Sequence, residues 1–295
     1  MTNEQLVQKM EEDMKMRRFS DYTKYAYLNK TKQMMKYFKK PLEEVKIEEL
    51  RNYLLKYLKE EKKLSERSVN YYNSVIRFIY EVTLDKVINK KQLPMYRNRK
   101  RVYNVLTKEE LSTFFNVCEN YKYKTMFMLV YGTGLRISEV ANLRIGDIDS
   151  KKMRIFVREG KGRKERYTIL PETSLKMLRT YWKMSRRKGE KEERIFLNET
   201  GGAISTYSIR TQFRKYRKKA KLNEKFVVHS LRHSFATDLI ERGASIIEVK
   251  ELMGHSNIRS TMEYIHVAPI GLSVNNPLDE LIKGGNKNDR STRNI

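Results

Sequence analysis

Apolar residues recur at intervals of three and four between residues 19 and 85, the spacing that places them on one face of a helix. Ser20 and Ser65 stand just before two of these segments, where a serine side chain can cap the first helical turn. Pro41 interrupts the pattern and separates the first segment from the second. The pattern predicts a small, all-helical domain over residues 1–88.

The helical pattern stops at residues 86–104, a basic stretch that contains Pro94. We predict an inter-domain linker over residues 89–104, which either is a solvated connector or, in a protein that encircles DNA, follows the phosphate backbone. Between residues 90 and 101 the chain has six basic residues and no acidic ones: Lys90, Lys91, Arg97, Arg99, Lys100 and Arg101. The last four of these are candidates for contact with DNA phosphates.

A second folded region begins after the linker, where Thr107 and Glu110 have the spacing of a helix capping box. Gly132 and Gly134 allow a tight turn before a helix that we predict over residues 136–143. The pattern therefore changes from linker to packed domain within a few residues.

Two strands are predicted over residues 153–158 and 165–170, joined by a glycine-containing hairpin at 159–164. Helical patterns then dominate to the end of the folded region. We predict a mostly α-helical protein with a small β-sheet, in which an α+β domain spans 105–284 and residues 285–295 form a disordered tail.

One predicted helix has two contrasting faces. Its apolar stripe consists of Ile209, Phe213, Tyr216 and Ala220. Six basic residues occupy the opposite side: Arg210, Arg214, Lys215, Arg217, Lys218 and Lys219. Such a helix is suited to lying along phosphates, and the three arginines are candidates for that contact.

The net charge of the chain indicates which class of partner it attracts. There are 62 Lys and Arg residues against 36 Asp and Glu, a formal net charge of +26. A surface this basic attracts polyanions, with nucleic acid the first candidate and an anionic membrane surface the second. The sequence has no apolar run of the roughly 18 residues that a membrane span needs and no signal-peptide core, so we predict a cytoplasmic protein.

Several chemistries are excluded by what the sequence lacks. Cys118 is the single cysteine, so it cannot form an intrachain disulfide or a cysteine zinc site; its apolar surroundings predict a core residue in a reducing compartment. No GxxxxGK spacing occurs, which excludes a P-loop nucleotide site.

The four histidines, at 229, 233, 255 and 266, all lie in the last quarter of the chain. His229 and His233 have the spacing of a zinc-binding pair, but Arg232 between them would repel a divalent cation, so we predict neither a metal nor a cofactor. On a helix, His229 and Arg232 share a face, and a cation beside a proton donor suits an anionic oxygen such as a phosphate.

Four sequence boxes, taken in order, resemble those of the tyrosine recombinase (phage integrase) family. They are GTGLRISEVANL from 132, GKGRKER from 160, HSLRHSFAT from 229 and LMGHSNIRSTMEYIHV from 252. The resemblance extends over roughly residues 15–283 and implies a helical core-binding domain followed by a tyrosine-recombinase catalytic domain. It also implies cleavage and rejoining of DNA through a 3′-phosphotyrosyl link and a Holliday junction, without metal or ATP.

The resemblance assigns roles to six catalytic residues and one supporting carboxylate: Arg136, Lys161, His229, Arg232, His255, Tyr264 and Glu139. Tyr264 would be the nucleophile, with His229 as its base or as an oxygen ligand. The two arginines would hold the non-bridging phosphate oxygens, and His255 would hydrogen-bond one of them. Glu139 would fix the fork of Arg136.

The predicted hairpin would supply the acid that protonates the leaving 5′-oxygen. Lys161 is the first choice for this acid and Lys164 the alternative, while Arg163 is a further candidate for phosphate contact. His233 is predicted to pack or to form a hydrogen bond within its helix, and His266 is given no role.

The resemblance also implies a homotetramer on two duplexes whose recombination sites contain inverted repeats, with the segment 277–282 docked on a neighbouring subunit. Two departures from the family pattern narrow the kind of recombinase that the resemblance implies. Only about fifteen residues precede the first helical domain, so the arm-binding domain of larger integrases is not expected. The run after Tyr264 differs from the usual Xer pattern, so a role in chromosome-dimer resolution is not implied.

Three other functions compete with site-specific recombination. A type IB topoisomerase shares the same chemistry but cuts one strand as a monomer, and a non-catalytic DNA-binding regulator could keep the fold. A metal-dependent nuclease lacks the paired carboxylates that it would need. The target sequence, and the choice among integration, excision, resolution and transposition, stay open.

Overall fold

A computed structural model describes residues 1–97, 103–158, 165–185 and 189–264. The chain divides into two compact units, Met1–Lys100 and Arg101–Ile295. The boundary falls within the stretch predicted as a linker. Each unit has its own apolar core, and the prediction of a mostly helical protein with a small sheet is confirmed.

The first unit is all-helical. Its helices are α1 (Asn3–Met16), α2 (Asp21–Phe38), α3 (Ile47–Asn52) and α4 (Glu66–Arg77), with π-helical continuations of α3 over Tyr53–Glu61 and of α4 over Phe78–Thr83. Ser20 and Ser65 cap α2 and α4 through the backbone N–H groups of Thr23 and Ser68. These two predicted caps are confirmed.

Helix α1 is an element that the apolar pattern did not predict. It begins with a capping box in which Thr2 and Gln5 accept hydrogen bonds from each other's backbone. Leu6, Met10 and Met14 line its inner face and are buried in the core of this unit. The thioether side chains made the apolar stripe less evident than a leucine stripe would have been.

The first half of the predicted linker packs against this unit. Leu93 is buried, and its carbonyl accepts a hydrogen bond of 2.8 Å from Arg77. Asn70 binds both backbone groups of Tyr96, at 2.9 and 2.8 Å. Side chains of α4 hold irregular backbone here, which is why no helical period was visible.

The second unit contains eight described helices around a three-stranded antiparallel sheet. They are α5 (Lys108–Val117), α6 (Tyr121–Thr133), α7 (Ile137–Ala141), α8 (Glu172–Ser185), α9 (Thr206–Lys219), α10 (Val228–Glu241), α11 (Ile246–Met253) and α12 (Arg259–Met262). The sheet runs β1 (Ile148–Asp149), β2 (Arg154–Val157) and β3 (Arg166–Ile169), with Ile155 opposite Thr168.

Local differences from the predictions lie beside the sheet. Helix α7 starts after Arg136 and ends at Ala141, so it is shorter than predicted, and β1 was not predicted.

Cys118 is buried in the core, donates to the Phe114 carbonyl and has its pKa raised to about 12 by burial. Within the described ranges, the helices are too short or too polar to cross a bilayer.

Candidate active site

Two left-handed glycines end the helices that frame the site. Gly134, with φ of 65°, follows α6, and Gly254, with φ of 60°, follows α11. A Cβ atom at Gly134 would lie 2.4 Å from the ring of Phe235, so a side chain has no room there. The two turns direct backbone carbonyls inward, where guanidinium groups meet them.

Arg232 lies at the centre of this region on α10. Its side chain is 1% exposed, a rare condition for an arginine, and its two terminal nitrogens donate to the carbonyls of Gly134 and Met253. The guanidinium has further N–H groups with which it could bind an anion. Arg232 therefore connects the ends of both framing helices.

Arg136 approaches the same point from the start of α7. Its Nη1 is 2.7 Å from Glu139 Oε1, and its Nη2 donates to the Gly254 carbonyl at 2.8 Å. The backbone N–H of Arg136 binds the second oxygen of Glu139 at 2.7 Å. The ion pair expected from the spacing is thus present, and it fixes the plane of the Arg136 fork.

Arg166, on β3, was not singled out from the sequence. Its Nη1 and Nη2 bind the two oxygens of Glu139 at 3.0 and 2.9 Å, and its Nε donates to the Leu252 carbonyl at 3.0 Å. Three successive carbonyls at the end of α11, those of residues 252–254, therefore accept from three different arginines. An arginine inside a basic hairpin sequence gave no sign of this structural role.

The charges of this cluster are strongly coupled. Burial alone would raise the pKa of Glu139, but the hydrogen bonds from Arg166 and the charge of Arg136 lower it to about 2. Burial, with the nearby Arg136, lowers the pKa of Arg232 to about 9. At neutral pH the Glu139 carboxylate and the Arg232 guanidinium are therefore both charged.

Tyr264 closes the site from the turn after α12. Its side chain is 2% exposed, and its hydroxyl lies 2.9 Å from Nδ1 of His233. Burial raises its pKa, although the charges of Arg232 and Arg136 act in the opposite direction. The phenol is protonated at neutral pH, so a nucleophile here needs a proton acceptor.

His233 occupies a place that the sequence analysis assigned to His229. The ring of His233 packs against Tyr103 and His229, in agreement with the packing predicted for it, and its Nδ1 also lies beside the Tyr264 hydroxyl. His229 lies one turn earlier on α10, with its ring edge-to-face on His233 at 5.1 Å. Its ring is partly solvent-exposed, yet burial of the remainder and the charge of Arg232 lower its pKa.

His255 follows Gly254 and packs near the same tyrosine, with ring centroids 6.2 Å apart. Its Nδ1 lies 2.8 Å from the hydroxyl of the buried Thr261. When Thr261 donates to Nδ1, the ring proton lies on Nε2 and is available to an oxyanion. Burial and the charge of Arg232 lower the pKa of His255 to about 3, so the ring is neutral at physiological pH.

This arrangement matches the order of boxes seen in the sequence, and comparisons with known proteins agree. The model of the phage integrase family matches residues 104–269. The chain belongs to this family of tyrosine recombinases. A second model, the N-terminal SAM-like domain of phage integrases, matches residues 6–90. This tyrosine recombinase is 37% identical to the tyrosine recombinase XerC of Oceanobacillus iheyensis over 221 residues, 70% of this chain and 72% of that protein.

Solved structures show the same architecture. The XerH recombinase bound to a palindromic substrate is 21% identical, with a TM-score of 0.70 over 89% of this recombinase and 81% of that chain. The Tn1549 transposon integrase with transposon end DNA is 18% identical, with a TM-score of 0.69 over 97% and 99%. At these low identities, the structural likeness shows the fold alone. The curated relatives establish a site-specific recombinase and do not favour the topoisomerase or regulator alternatives.

Other predicted residues of the recombinase are distributed as follows. The hairpin residues Lys161, Arg163 and Lys164, the linker residues Arg99, Lys100 and Arg101, and His266 lie outside the described residues. Arg97 is exposed in the first unit, and Arg210 and Arg214 are exposed on α9. Arg217 instead donates to the carbonyls of Glu224 and Phe226, the latter at 2.8 Å, so it holds a loop.

A metal site does not emerge from the described histidines. His229 and His233 are adjacent, but nowhere in the described ranges do three His, Cys, Asp or Glu side chains gather with the geometry of a metal site. The polar groups around Arg232 are backbone carbonyls and arginines, which suit an anion.

Substitution of Gly254 tests whether the end of α11 holds the recombinase site together. We expect Gly254→Ala to slow DNA cleavage at least tenfold, because a Cβ there would lie 2.8 Å from the side chain of Arg166, which is fixed by Glu139. Left-handed backbone adds about 1–2 kcal/mol of strain. Gly243→Ala is the matched control, since φ is 88° there but a Cβ would meet nothing within 4 Å. Equal cleavage by the two variants would contradict the clash.

Proposed function

We propose that this recombinase cuts DNA by attack of Tyr264 on a phosphate held between Arg136 and Arg232. The observation that carries the proposal is the hydroxyl of a buried tyrosine, 2.9 Å from a histidine nitrogen and close enough to both arginines for their charges to act on its pKa. Attack forms the Tyr264–phosphorus bond and breaks the bond to the 5′-oxygen. The phosphodiester energy is kept in the phosphotyrosyl link, so rejoining needs no ATP.

The proton of Tyr264 passes to His233 in this proposal. Nδ1 of His233 lies within hydrogen-bond distance of the phenol, while His229, near enough to Arg232 to feel its charge, would contact a phosphate oxygen. The lowered pKa of the His229 imidazole makes it neutral at physiological pH, so it would act through a hydrogen bond. His255 would use Nε2 in the same way.

The leaving 5′-oxygen requires an acid, which we assign to Lys161 with Lys164 as the alternative. An ammonium group can donate a proton near neutral pH when cations nearby lower its pKa. Arg136, Arg166 and Arg232 supply such a field at the site.

Covalent trapping tests this function directly. The chain should form an adduct on a duplex nicked close to its recombination site, in EDTA and without ATP, and the adduct should survive a denaturing gel. Peptide mapping should place the DNA on Tyr264. A requirement for a divalent metal, or DNA attached to another residue, would refute the proposal.

The basic face of α9 should grip the DNA backbone without reading its sequence. Arg210→Ala and Arg214→Ala should each reduce the slope of log affinity against log salt by about 0.9, the effect of one lost phosphate contact. Arg217→Ala is the informative comparison, because that guanidinium already donates to the loop after α9. We expect it to lower the melting temperature and change the slope less. Fluorescence anisotropy measures DNA affinity, and hence this slope, at salt concentrations from about 50 to 300 mM, a roughly sixfold range.

We also propose that the recombinase assembles as a tetramer on two duplexes bearing inverted repeats, in the cytoplasm where the DNA lies. Residues 277–282, which lie outside the described residues, would dock on a neighbouring subunit. The apolar pattern of this segment supports the proposal. Deletion of residues 275–295 should abolish synapsis and recombination while single-site cleavage persists. Intact recombination after the deletion would rule out docking in trans.

A further inference from the structure

Tyr103 is an aromatic side chain that no motif of the sequence drew attention to. It lies near the end of the predicted linker, four residues before Thr107, the N-cap of α5. Its ring packs in a small core cluster with Phe235, Met253 and Tyr264. The cluster is separate from the main core of the catalytic unit. Its location beside the nucleophile raises the question of what this ring does.

Tyr103 contacts both residues of the hydrogen bond between Tyr264 and His233. Its ring stacks on Tyr264 with centroids 4.9 Å apart and planes 24° apart. The same ring lies 4.0 Å from the ring of His233, whose Nδ1 binds the Tyr264 hydroxyl. One side chain therefore touches both the nucleophile and the group that receives its proton.

Two further bonds fix Tyr103 in this place. Its hydroxyl donates to Oε2 of Glu263, the residue directly before Tyr264. Three residues along, the backbone N–H of Leu106 donates to Ser234 Oγ at 2.9 Å, next to His233 on α10. The segment 103–106 is thus tied to the nucleophile turn at one end and to α10 at the other.

We propose that Tyr103 is a positioning residue, which orients the Tyr264 phenol and the His233 ring for attack on DNA. The inference rests on Tyr264 being the nucleophile. A phenol turns about two side-chain torsions, and the hydrogen bond to His233 fixes only its oxygen. The stacked ring removes rotation about the remaining axis. A displacement of about 1 Å of a reacting group can slow a reaction about a hundredfold, so the loss of this ring should be visible in the rate.

The test compares single-turnover cleavage of nicked DNA by the full chain at saturating protein. We expect Tyr103→Leu to slow adduct formation about 10- to 100-fold with an unchanged Kd for DNA. Tyr103→Phe keeps the stacked ring and loses only the hydrogen bond to the Glu263 carboxylate, so its rate should stay within about threefold of the parent rate. Tyr103→Met, whose flexible side chain adapts to irregular gaps in a core, keeps the test decisive if the leucine variant melts below the assay temperature.

Tyr131→Leu is the matched control, because Tyr131 belongs to the same cluster and binds Asp238 at 2.5 Å. It should lower the melting temperature yet leave the rate at saturation unchanged. The inference is overturned if Tyr103→Leu and Tyr103→Met cleave at the parent rate, if Tyr103→Phe is as slow as they are, or if Tyr131→Leu is equally slow. Failure of the parent chain to form any adduct would instead refute the proposed function itself.

Discussion

Tyr264→Phe should abolish the covalent DNA adduct while leaving DNA affinity close to that of the parent. The substitution removes the oxygen that we propose attacks phosphorus and keeps the ring that packs against Tyr103. Loss of a catalytic nucleophile typically lowers a rate by about 10⁴-fold or more. Gel quantification of adduct on nicked DNA, with binding measured on the same duplex, separates the two effects.

The control for this substitution is Tyr131→Phe, which also removes a tyrosine hydroxyl from the same core cluster. Its adduct yield should match the parent. The hydroxyl of Tyr264 accounts for one hydrogen bond in the fold, so we expect Tyr264→Phe to change the free energy of unfolding by about 1 kcal/mol. An adduct that persists in Tyr264→Phe would show that another residue is the nucleophile.

Arg136→Lys and Arg232→Lys should each slow cleavage about 10²- to 10³-fold, although the formal charge is kept. Arg136 spans Glu139 and the Gly254 carbonyl with two separate nitrogens, and Arg232 spans two carbonyls in the same way. A single ammonium cannot meet both partners and still reach a phosphate. In the buried position of Arg232, desolvation and the neighbouring guanidiniums would also lower the pKa of an ammonium group.

Single-turnover rates at saturating protein measure this loss, and Arg214→Lys on the exposed face of α9 is the control for a general arginine effect. We expect Arg214→Lys to cleave at the parent rate. Near-normal cleavage by Arg136→Lys would contradict the proposed role of the planar guanidinium group of Arg136. A melting curve distinguishes the catalytic loss in Arg232→Lys from the destabilisation that a poorly paired buried cation brings.

Much of the site follows from spacing along the chain. Arg136 and Glu139 lie three residues apart at a helix start, and His229 and Arg232 lie three apart on α10, so local geometry alone brings each pair together. The resemblance to a known family then placed these pairs beside His255 and Tyr264. Caps such as those of Ser20, Ser65 and Thr107 were equally local, and their positions agree with the structure.

The residues that were missed make contacts distant in sequence. Arg166 meets Glu139 across 27 positions, and Tyr103 meets Tyr264 across 161, so no local period reveals them. The contact between His233 and Tyr264 was not predicted, because the helical position of His233 fixes which face it occupies but not the partner beyond that face. Such contacts depend on how α10, β3 and the segment 103–106 are packed together, which follows from the whole core.

The Glu139 cluster also links the stability of the catalytic unit to its substrate. Arg136, Arg166 and Arg232 surround one carboxylate, so these four side chains together carry two positive charges. A phosphodiester brings one negative charge, and the pentavalent intermediate carries a second. Binding of this negative charge would reduce the repulsion among the three guanidinium groups. The net positive charge that opposes folding of this unit therefore favours binding of a DNA phosphate. We expect the melting temperature of the recombinase to be highest when it is bound to DNA.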